Sequence, residues 1–245
     1  MQDTAVLVTV CDRPKHARSA FESIRKVRGG RLVLVVDDSS GTQHQVEHQA
    51  YAIEAGFSYI PIQGKRGLAC ALNIGLSFLL ADRSLEWISY FQDDVEVDPD
   101  ILEILRDVQH LKDRPLLTGH EAAEHKTIRR TNMNGIAVSF KDSCRATHMH
   151  AHRDYWTAVM PIPTRELGAP KRVAGQPRGI GSNVDWWVAT WAPSSVKMLG
   201  RHVACVPGLV RTFAWKKQDS TWDNEQRAGE DAPLNRDAVA GWRRT

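Results

Sequence analysis

The first 110 residues alternate short apolar runs with stretches of helical spacing, and this alternation constrains the fold more than any other feature of the chain. The apolar runs predict buried strands at residues 5–10, 32–36, 57–62 and 87–91. Strands separated by helices favour parallel pairing with right-handed crossovers. The predicted fold class is α/β, with a mixed, mainly parallel sheet flanked by helices.

Glycine, proline and aspartate predict where the helices begin and end. Pro14 opens the first helix and Gly29-Gly30 ends it, while Gly56 ends the second. A third helix is predicted over residues 68–80, and Asp98 is predicted to cap a fourth. The second half is less regular, with strands predicted at 133–140, 148–152 and 203–206.

Composition excludes several classes of protein. The net charge of +3 comes from 32 basic and 29 acidic residues, which neither requires nor excludes a nucleic-acid partner. The four cysteines form no CxxC pair, which argues against a thiolate zinc site and favours a reducing compartment. No apolar stretch approaches the roughly 20 residues that span a bilayer, and no signal peptide is evident, so we expect a cytoplasmic protein without membrane insertion.

Polar residues follow all four predicted strands of the first half. Because ligands bind at the carboxyl ends of parallel strands, these residues form a candidate ligand site. They are Thr9, Asp12, Asp38, Gly64 to Arg66, Asp93 and Asp94. The two adjacent carboxylates suit Mg²⁺ or Mn²⁺, hard cations that also bind phosphate oxygens. The alternative for an isolated Asp-Asp pair is an acidic turn that leads into a helix.

The segments LVTVCDRP, LVVDDSS, GKRGLACALNIGL and YFQDDVEVDPDIL together resemble the family 2 glycosyltransferases, which have the GT-A (Rossmann-like) fold. The resemblance implies that Thr9 and Asp38 hold the nucleoside of a nucleotide-sugar, with Arg66 near the base or phosphates. It also implies that Asp94, with Asp93 beside it, binds Mn²⁺ or Mg²⁺. Asp12 completes the expected donor-binding set.

Two departures from the family pattern concern the metal. The usual Asp-x-Asp motif begins here with the neutral Gln92, so the charge for metal binding comes from Asp93 and Asp94. Many family members add a late histidine, but no histidine follows His202. Asp219 is the predicted replacement ligand, with an ordinary solvated turn as the alternative.

The second half supplies the candidates for catalysis and acceptor binding. Asp185 follows a glycine-rich loop and precedes two tryptophans, which resembles the acceptor-side motif of inverting family members. It is the predicted catalytic base, although a helix cap is the alternative. Indole rings stack well on sugars, so Trp186, Trp187 and Trp222 are the predicted acceptor surface, with core packing as the alternative.

His148, His150 and His152 would share one face of a strand. A zinc site there lacks an evident fourth ligand. The adjacent Arg145 and Arg153 favour instead a polar strand or one that faces an acidic substrate.

The sequence predicts an inverting transferase that uses a nucleotide-sugar, with UDP-sugars favoured. The donor-binding half is expected at residues 1–115, the acceptor half at 116–225 and a polar tail at 226–245. The acceptor stays open among saccharide, protein and modified DNA. A sugar-phosphate nucleotidyltransferase and a nucleotide-sugar binding module without turnover are the alternatives. The first lacks its glycine-rich signature after strand one, and the second is supported by Gln92.

Overall fold

The computed structural model describes residues 3–39, 41–64, 66–109, 116–121, 125–164, 184–191 and 203–212. Within these ranges the elements follow in chain order as β1 Thr4–Val10, α1 Pro14–Ile24, β2 Gly30–Asp37, α2 Thr42–Ala55, β3 Ser58–Pro61, α3 Leu68–Ala81, β4 Trp87–Gln92, β5 Val95–Val97, α4 Ile101–Val108, β6 Leu117–Thr118, β7 Thr127–Met133, β8 Ile136–Lys141, β9 His148–His152, α5 Arg153–Val159, α6 Val184–Trp186 with a π-helical turn Trp187–Trp191, β10 Val203–Cys205 and β11 Val210–Thr212.

The described strands form a sheet in the order β3-β2-β1-β4-β9-β6-β10-β8-β7 and a separate ribbon of β5 with β11. β1 pairs in parallel with β2 and β4, and β2 pairs in parallel with β3. β9 is antiparallel to β4 and β6. The predicted α/β class with a mixed sheet is therefore confirmed. The expected halves, 1–115 and 116–225, both contribute strands to this sheet, and the tail at 226–245 lies outside the described residues.

β3 lies at the edge of the sheet and is partly exposed, whereas helices cover both faces of β1, β2 and β4. Leu7 and Tyr90 lie in the core on the α3 side, whereas Val8 and Phe91 lie in the core on the side of α1 and α4. Burial on both faces explains why these strands read as continuous apolar runs. α3 approaches the sheet closely at Gly75, where a Cβ atom would lie 2.4 Å from Leu7 Cδ1 and 3.1 Å from Val36 Cγ2.

Two helix boundaries differ from the predictions. α4 begins at Ile101 with Asp100 as its N-cap residue, two residues later than the start predicted at Asp98 and Pro99. Asp98 Oδ1 accepts a hydrogen bond from the Asp100 amide at 2.9 Å in the turn that precedes the helix. α1 ends at Ile24, well before Gly29-Gly30, and Gly30 already belongs to β2. The end predicted at Gly56 is confirmed, since this residue ends α2 in the left-handed conformation at φ 78°.

The strand predicted at 133–140 is present as β8, but it begins only at Ile136, because Met133 ends β7 and the residues between form the turn of the β7–β8 hairpin. Asn134 and Gly135 form the turn with φ of 53° and 83°. Positive φ at both central positions is typical of the type I′ turn, which Asn-Gly favours. The dipeptide was the sequence signal for the hairpin.

The histidine strand exists as β9, and its alternate histidines share a face, but the prediction of a polar, substrate-facing strand is wrong. β9 lies inside the sheet, and His148 and His150 are buried. His150 stacks on Trp87 with ring centroids 5.1 Å apart, and His148 stacks on Phe91 at 4.5 Å. Burial lowers the pKa of His150 to about 3. Burial also lowers the pKa of His148, whose Nδ1 accepts the Gly119 amide at 2.8 Å and whose Nε2 bonds the Ser89 hydroxyl at 3.0 Å.

Among the described residues, no helix is long and apolar enough to cross a membrane.

We predict that Gly75→Ala destabilises the protein despite the better helix propensity of alanine. Propensity favours alanine by about 1 kcal/mol, whereas overpacking a buried contact costs about 1–3 kcal/mol. Urea unfolding should show a lower midpoint for Gly75→Ala. Ser77→Ala, an exposed change on the same helix, should leave the midpoint unchanged or raise it. Equal stability of Gly75→Ala and the wild type would contradict the close approach of α3 to the sheet.

Candidate functional site

The parallel strands bring their polar carboxyl ends to one edge of the sheet. Direct bonds join the loops there: the Cys11 amide after β1 donates to Asp93 Oδ2 after β4 at 3.1 Å. The amides of Arg66 and Gly67, which lead into α3, donate to the carboxylate of Asp38 after β2 at 2.6 and 2.7 Å. The predicted convergence of these four strand ends is therefore present in the structure.

The acidic turn after β4 is buried and paired with a cation. Asp93 and Asp94 are 2% and 3% exposed. Arg13 Nη2 donates to Asp93 Oδ1, and Arg13 Nη1 lies 3.8 Å from Asp94 Oδ2. Burial alone would lower the pKa of Arg13, but the charges of Asp93 and Asp94 outweigh burial and raise it. The turn thus combines two carboxylates with one permanent positive charge.

Tyr90 lies behind the acidic turn and contacts Thr9. The Tyr90 and Thr9 hydroxyls share a hydrogen bond of 2.9 Å, and both residues are buried. Burial and the nearby charges of Asp93 and Asp94 raise the pKa of Tyr90, so its phenol stays neutral. Thr9 therefore links β1 to β4 through Tyr90. Its contact with a nucleoside stays a prediction.

Asp12 lies at the rim of the site in an unusual backbone conformation. Its φ of 52° is left-handed, which aspartate tolerates better than most residues. The Asp12 amide donates to Ser39 Oγ at 3.0 Å, and His44 Nδ1 lies 3.4 Å from Asp12 Oδ1. Arg66 is exposed near this rim, with its backbone held by Asp38.

A buried network beneath Asp38 was not predicted. Asp37 Oδ2 accepts hydrogen bonds from His48 Nδ1 at 2.7 Å and the Tyr59 hydroxyl at 2.6 Å, and its Oδ1 accepts from the Ser39 amide at 2.7 Å. Although burial opposes ionisation, the bonds from His48, Ser39 and Tyr59 hold the pKa of Asp37 below its usual value. This network fixes the loop that presents Asp38.

The predicted base, Asp185, lies in α6 and is partly buried. Burial, followed by the charge of Asp185, raises the pKa of Cys144, which places the carboxylate near this thiol. Cys144 precedes the loop in which the Thr147 carbonyl accepts from the Gln92 amide at 3.1 Å. A short run of chain thus links the surroundings of Asp185 to the acidic turn.

Of the predicted acceptor surface, only the Trp187 side chain is described. Its indole Nε1 donates to the Val159 carbonyl at 2.9 Å, and the ring is partly buried against α5. The side chain of Trp186, together with Asp219 and Trp222, lies outside the described residues. The roles predicted for these three stay predictions.

Sequence reasoning missed Arg13 as a partner of the acidic turn. Arg13 lies between the end of β1 and Pro14, which begins α1, but no local pattern in the sequence ties it to Asp93 or Asp94. It also missed β11, a three-residue strand that pairs with β5 directly after the acidic turn.

The acidic turn suits a divalent cation in the type of its ligands. Asp93 and Asp94 offer carboxylate oxygens, which Mg²⁺ and Mn²⁺ prefer. The described residues bring no group of three or more His, Cys, Asp or Glu together, so further ligands have to come from phosphate oxygens, water or residues outside the described ranges. The two carboxylates therefore fit a cation that is shared with a diphosphate.

Residues 5–120 match the family model described as Glycosyl transferase family 2. No curated protein matches the chain. Similar solved structures include TarS from S. aureus, at 12% identity and a TM-score of 0.45, covering 64% of this chain and 30% of that chain. TarS 1-349 is 13% identical with a TM-score of 0.45, and the match covers 63% of this chain and 48% of that chain. The complex of TarS 1-349 with UDP is 15% identical with a TM-score of 0.40, and the match covers 52% of this chain and 38% of that chain. The chain thus spans less than half the length of each of these proteins.

We predict that Tyr59→Phe destabilises the protein most near neutral pH. The variant loses one donor to the buried Asp37 carboxylate, which costs about 1–3 kcal/mol. Because the folded pKa of Asp37 is lowered, its bonds contribute fully above the unfolded pKa of about 4 and are lost as the pH falls through the folded value. Urea unfolding from neutral pH down to acid should show the difference in the free energy of unfolding between the wild type and Tyr59→Phe shrinking as the pH falls.

Tyr51→Phe is the matched control, since the Tyr51 ring contacts Arg18 on the surface of α1. A destabilisation by Tyr59→Phe that is independent of pH would contradict the coupling to Asp37.

Proposed function

We propose that the protein transfers a sugar from a nucleotide-sugar donor, with UDP-sugars favoured, to a hydroxyl acceptor, since residues 5–120 match the family model described as Glycosyl transferase family 2. The observation that carries the proposal is the convergence of Arg13, Asp38 and the Asp93-Asp94 turn at one edge of a parallel sheet. Such edges are where α/β sheets bind nucleotides.

The donor nucleoside is proposed to lie above the ends of β1 and β2. Asp12 and Asp38 follow these two strands, and Arg66, whose amide bonds the buried Asp38 carboxylate, is exposed. Thr9, at the end of β1, is held by its hydrogen bond with Tyr90 of β4. The bonds from Arg66 and Gly67 to Asp38 hold the nucleoside loop and the start of α3 in one arrangement before the donor arrives, which lowers the entropy cost of binding.

Asp94 and Asp93 are the proposed ligands of Mn²⁺ or Mg²⁺, and Asp219 is a further proposed ligand. The cation, when bound, would neutralise negative charge on the departing diphosphate. Arg13 adds a positive charge at the same turn, so the chain itself supplies part of this stabilisation.

Asp185 is the proposed catalytic base of an inverting transfer. Its carboxylate takes the proton of the acceptor hydroxyl as the acceptor oxygen bonds to the anomeric carbon and the bond from that carbon to the diphosphate breaks. The products are the glycosylated acceptor and a nucleoside diphosphate. Support comes from the sequence around Asp185, which follows a glycine-rich loop and precedes two tryptophans.

The acceptor is proposed to bind beside α6, against the rings of Trp186, Trp187 and Trp222. Aromatic faces suit a saccharide best, because sugar rings present apolar C–H groups to them. Protein and modified DNA are the other acceptor classes to test. A cytoplasmic location is part of the proposal.

We predict that UDP-sugars raise the melting temperature of the wild type more in the presence of Mn²⁺ than in its absence. Asp94→Asn should lose most of the metal-dependent part of this shift, because an amide brings no charge to the cation. Donor hydrolysis should fall in the same variant. The measurement is a thermal-shift screen of nucleotide-sugars with and without Mn²⁺, followed by detection of the released nucleoside diphosphate.

Asp107→Asn, on α4, is the matched control and should behave as the wild type. Donor affinity that is the same with and without cation in both proteins would contradict the metal assignment. Release of pyrophosphate from a nucleoside triphosphate and a sugar phosphate would instead favour the nucleotidyltransferase. Donor binding without hydrolysis or transfer would favour the binding module.

We predict that Asp185→Asn lowers kcat by about 10²–10⁴-fold, the usual contribution of a general base, while the donor Kd stays unchanged. The measurements are transfer rates to a working acceptor and calorimetric donor titration. Equal kcat in Asp185→Asn and the wild type would contradict the base assignment, and a matching loss of donor affinity would point to a structural role.

A further inference from the structure

The contact of Arg13 with both acidic residues gives the turn a second property besides ligand binding. The Arg13 side chain is 19% exposed, whereas both carboxylates are almost wholly buried. Nη2 contacts Asp93 and Nη1 lies near Asp94, so one guanidinium serves two carboxylates. A cation of the chain itself thus lies where a divalent cation would bind.

The electrostatics of the turn explain why this arginine is there. Two adjacent carboxylates with little solvent repel one another and require a nearby positive charge. A guanidinium suits them because its planar fork binds carboxylates and phosphates at two points, and because it stays charged at any relevant pH. A divalent cation approaching this turn therefore meets a positive charge that already contacts its ligands.

The backbone around Arg13 is held independently of its side chain. Pro14 begins α1, and the Arg13 carbonyl accepts the Ala17 amide at 3.0 Å in the first turn of that helix. Asp93 also accepts the Cys11 amide through Oδ2 at 3.1 Å, so its place in the loop does not depend on the guanidinium alone. Rotation of the Arg13 side chain alone can therefore release the carboxylates without unfolding the loop.

We propose that Arg13 competes with the divalent cation for Asp93 and Asp94 and moves to the donor diphosphate when the donor binds. The inference rests on the proposed function, since it requires a diphosphate at this edge of the sheet. The diphosphate offers the fork an alternative anion whose paired oxygens suit bidentate binding, and the vacated carboxylates are then open to the cation. Cation and donor therefore bind cooperatively, and the free protein binds the cation weakly.

The test is calorimetric titration of Mn²⁺ into the wild type and Arg13→Gln, each with and without saturating UDP. UDP should tighten Mn²⁺ binding to the wild type by about tenfold or more, within the usual range of coupling between sites. Arg13→Gln should bind Mn²⁺ alone about tenfold more tightly than the wild type, and UDP should add much less to it. Arg18→Gln is the matched control, since Arg18 pairs with Glu22 on the exposed side of α1.

Arg13→Lys keeps the charge but removes the fork, and its affinity for Mn²⁺ alone should lie between those of the wild type and Arg13→Gln. If Arg13→Gln does not fold, Arg13→Lys decides the matter: tighter Mn²⁺ binding than the wild type supports the competition, and unchanged binding overturns it.

Equal Mn²⁺ affinity of folded Arg13→Gln and the wild type, or equal tightening by UDP in both, overturns the inference. If UDP nevertheless binds the wild type, the proposed donor site stands and only the role of Arg13 fails. If UDP binds no variant, with or without Mn²⁺, the proposed function fails together with the inference.

Discussion

The parallel pairing of β1 with β2 and β4 is the constraint on which the rest of the site depends. It places the ends of three buried strands side by side, so that the loops after them meet without long connections. β1 lies between the other two, and its following residues contact both neighbours. The Cys11 amide and Arg13 reach the acidic turn after β4, while the Asp12 amide reaches Ser39 after β2.

The carboxylates at this edge of the sheet have two different roles. Asp37 and Asp38 are largely occupied by donors of the chain, and they fix the loops after β2 and β3. Asp93 and Asp94 instead share an arginine that a ligand can draw away. The first pair holds the loops rigidly, and the second pair is proposed to exchange its arginine for a cation when the donor binds. A site for a charged donor needs both properties.

Much of this arrangement could be predicted from the sequence because it follows from local patterns. Apolar runs with helical stretches between them predicted the parallel strands, and strand ends predicted where Asp38, Asp93 and Asp94 meet. Long-range side-chain contacts could not be predicted, since no local pattern ties Arg13 to residues some 80 positions away. The prediction that the β9 histidines face a substrate was wrong for a related reason. Their burial depends on Trp87, Phe91 and the strands on either side of β9, which lie far away in the sequence. The Asn134-Gly135 turn, by contrast, had a local signal that was overlooked.

The central claim is that a nucleotide-sugar donor binds at the carboxyl edge of β1, β2 and β4. A crystal structure of the protein with UDP and Mn²⁺ tests it most directly. The account predicts the base near Asp38, and the diphosphate and Mn²⁺ at Asp93 and Asp94 with the Arg13 guanidinium turned toward phosphate oxygens. UDP bound elsewhere, with the contacts from Arg13 to Asp93 and Asp94 intact, would contradict it.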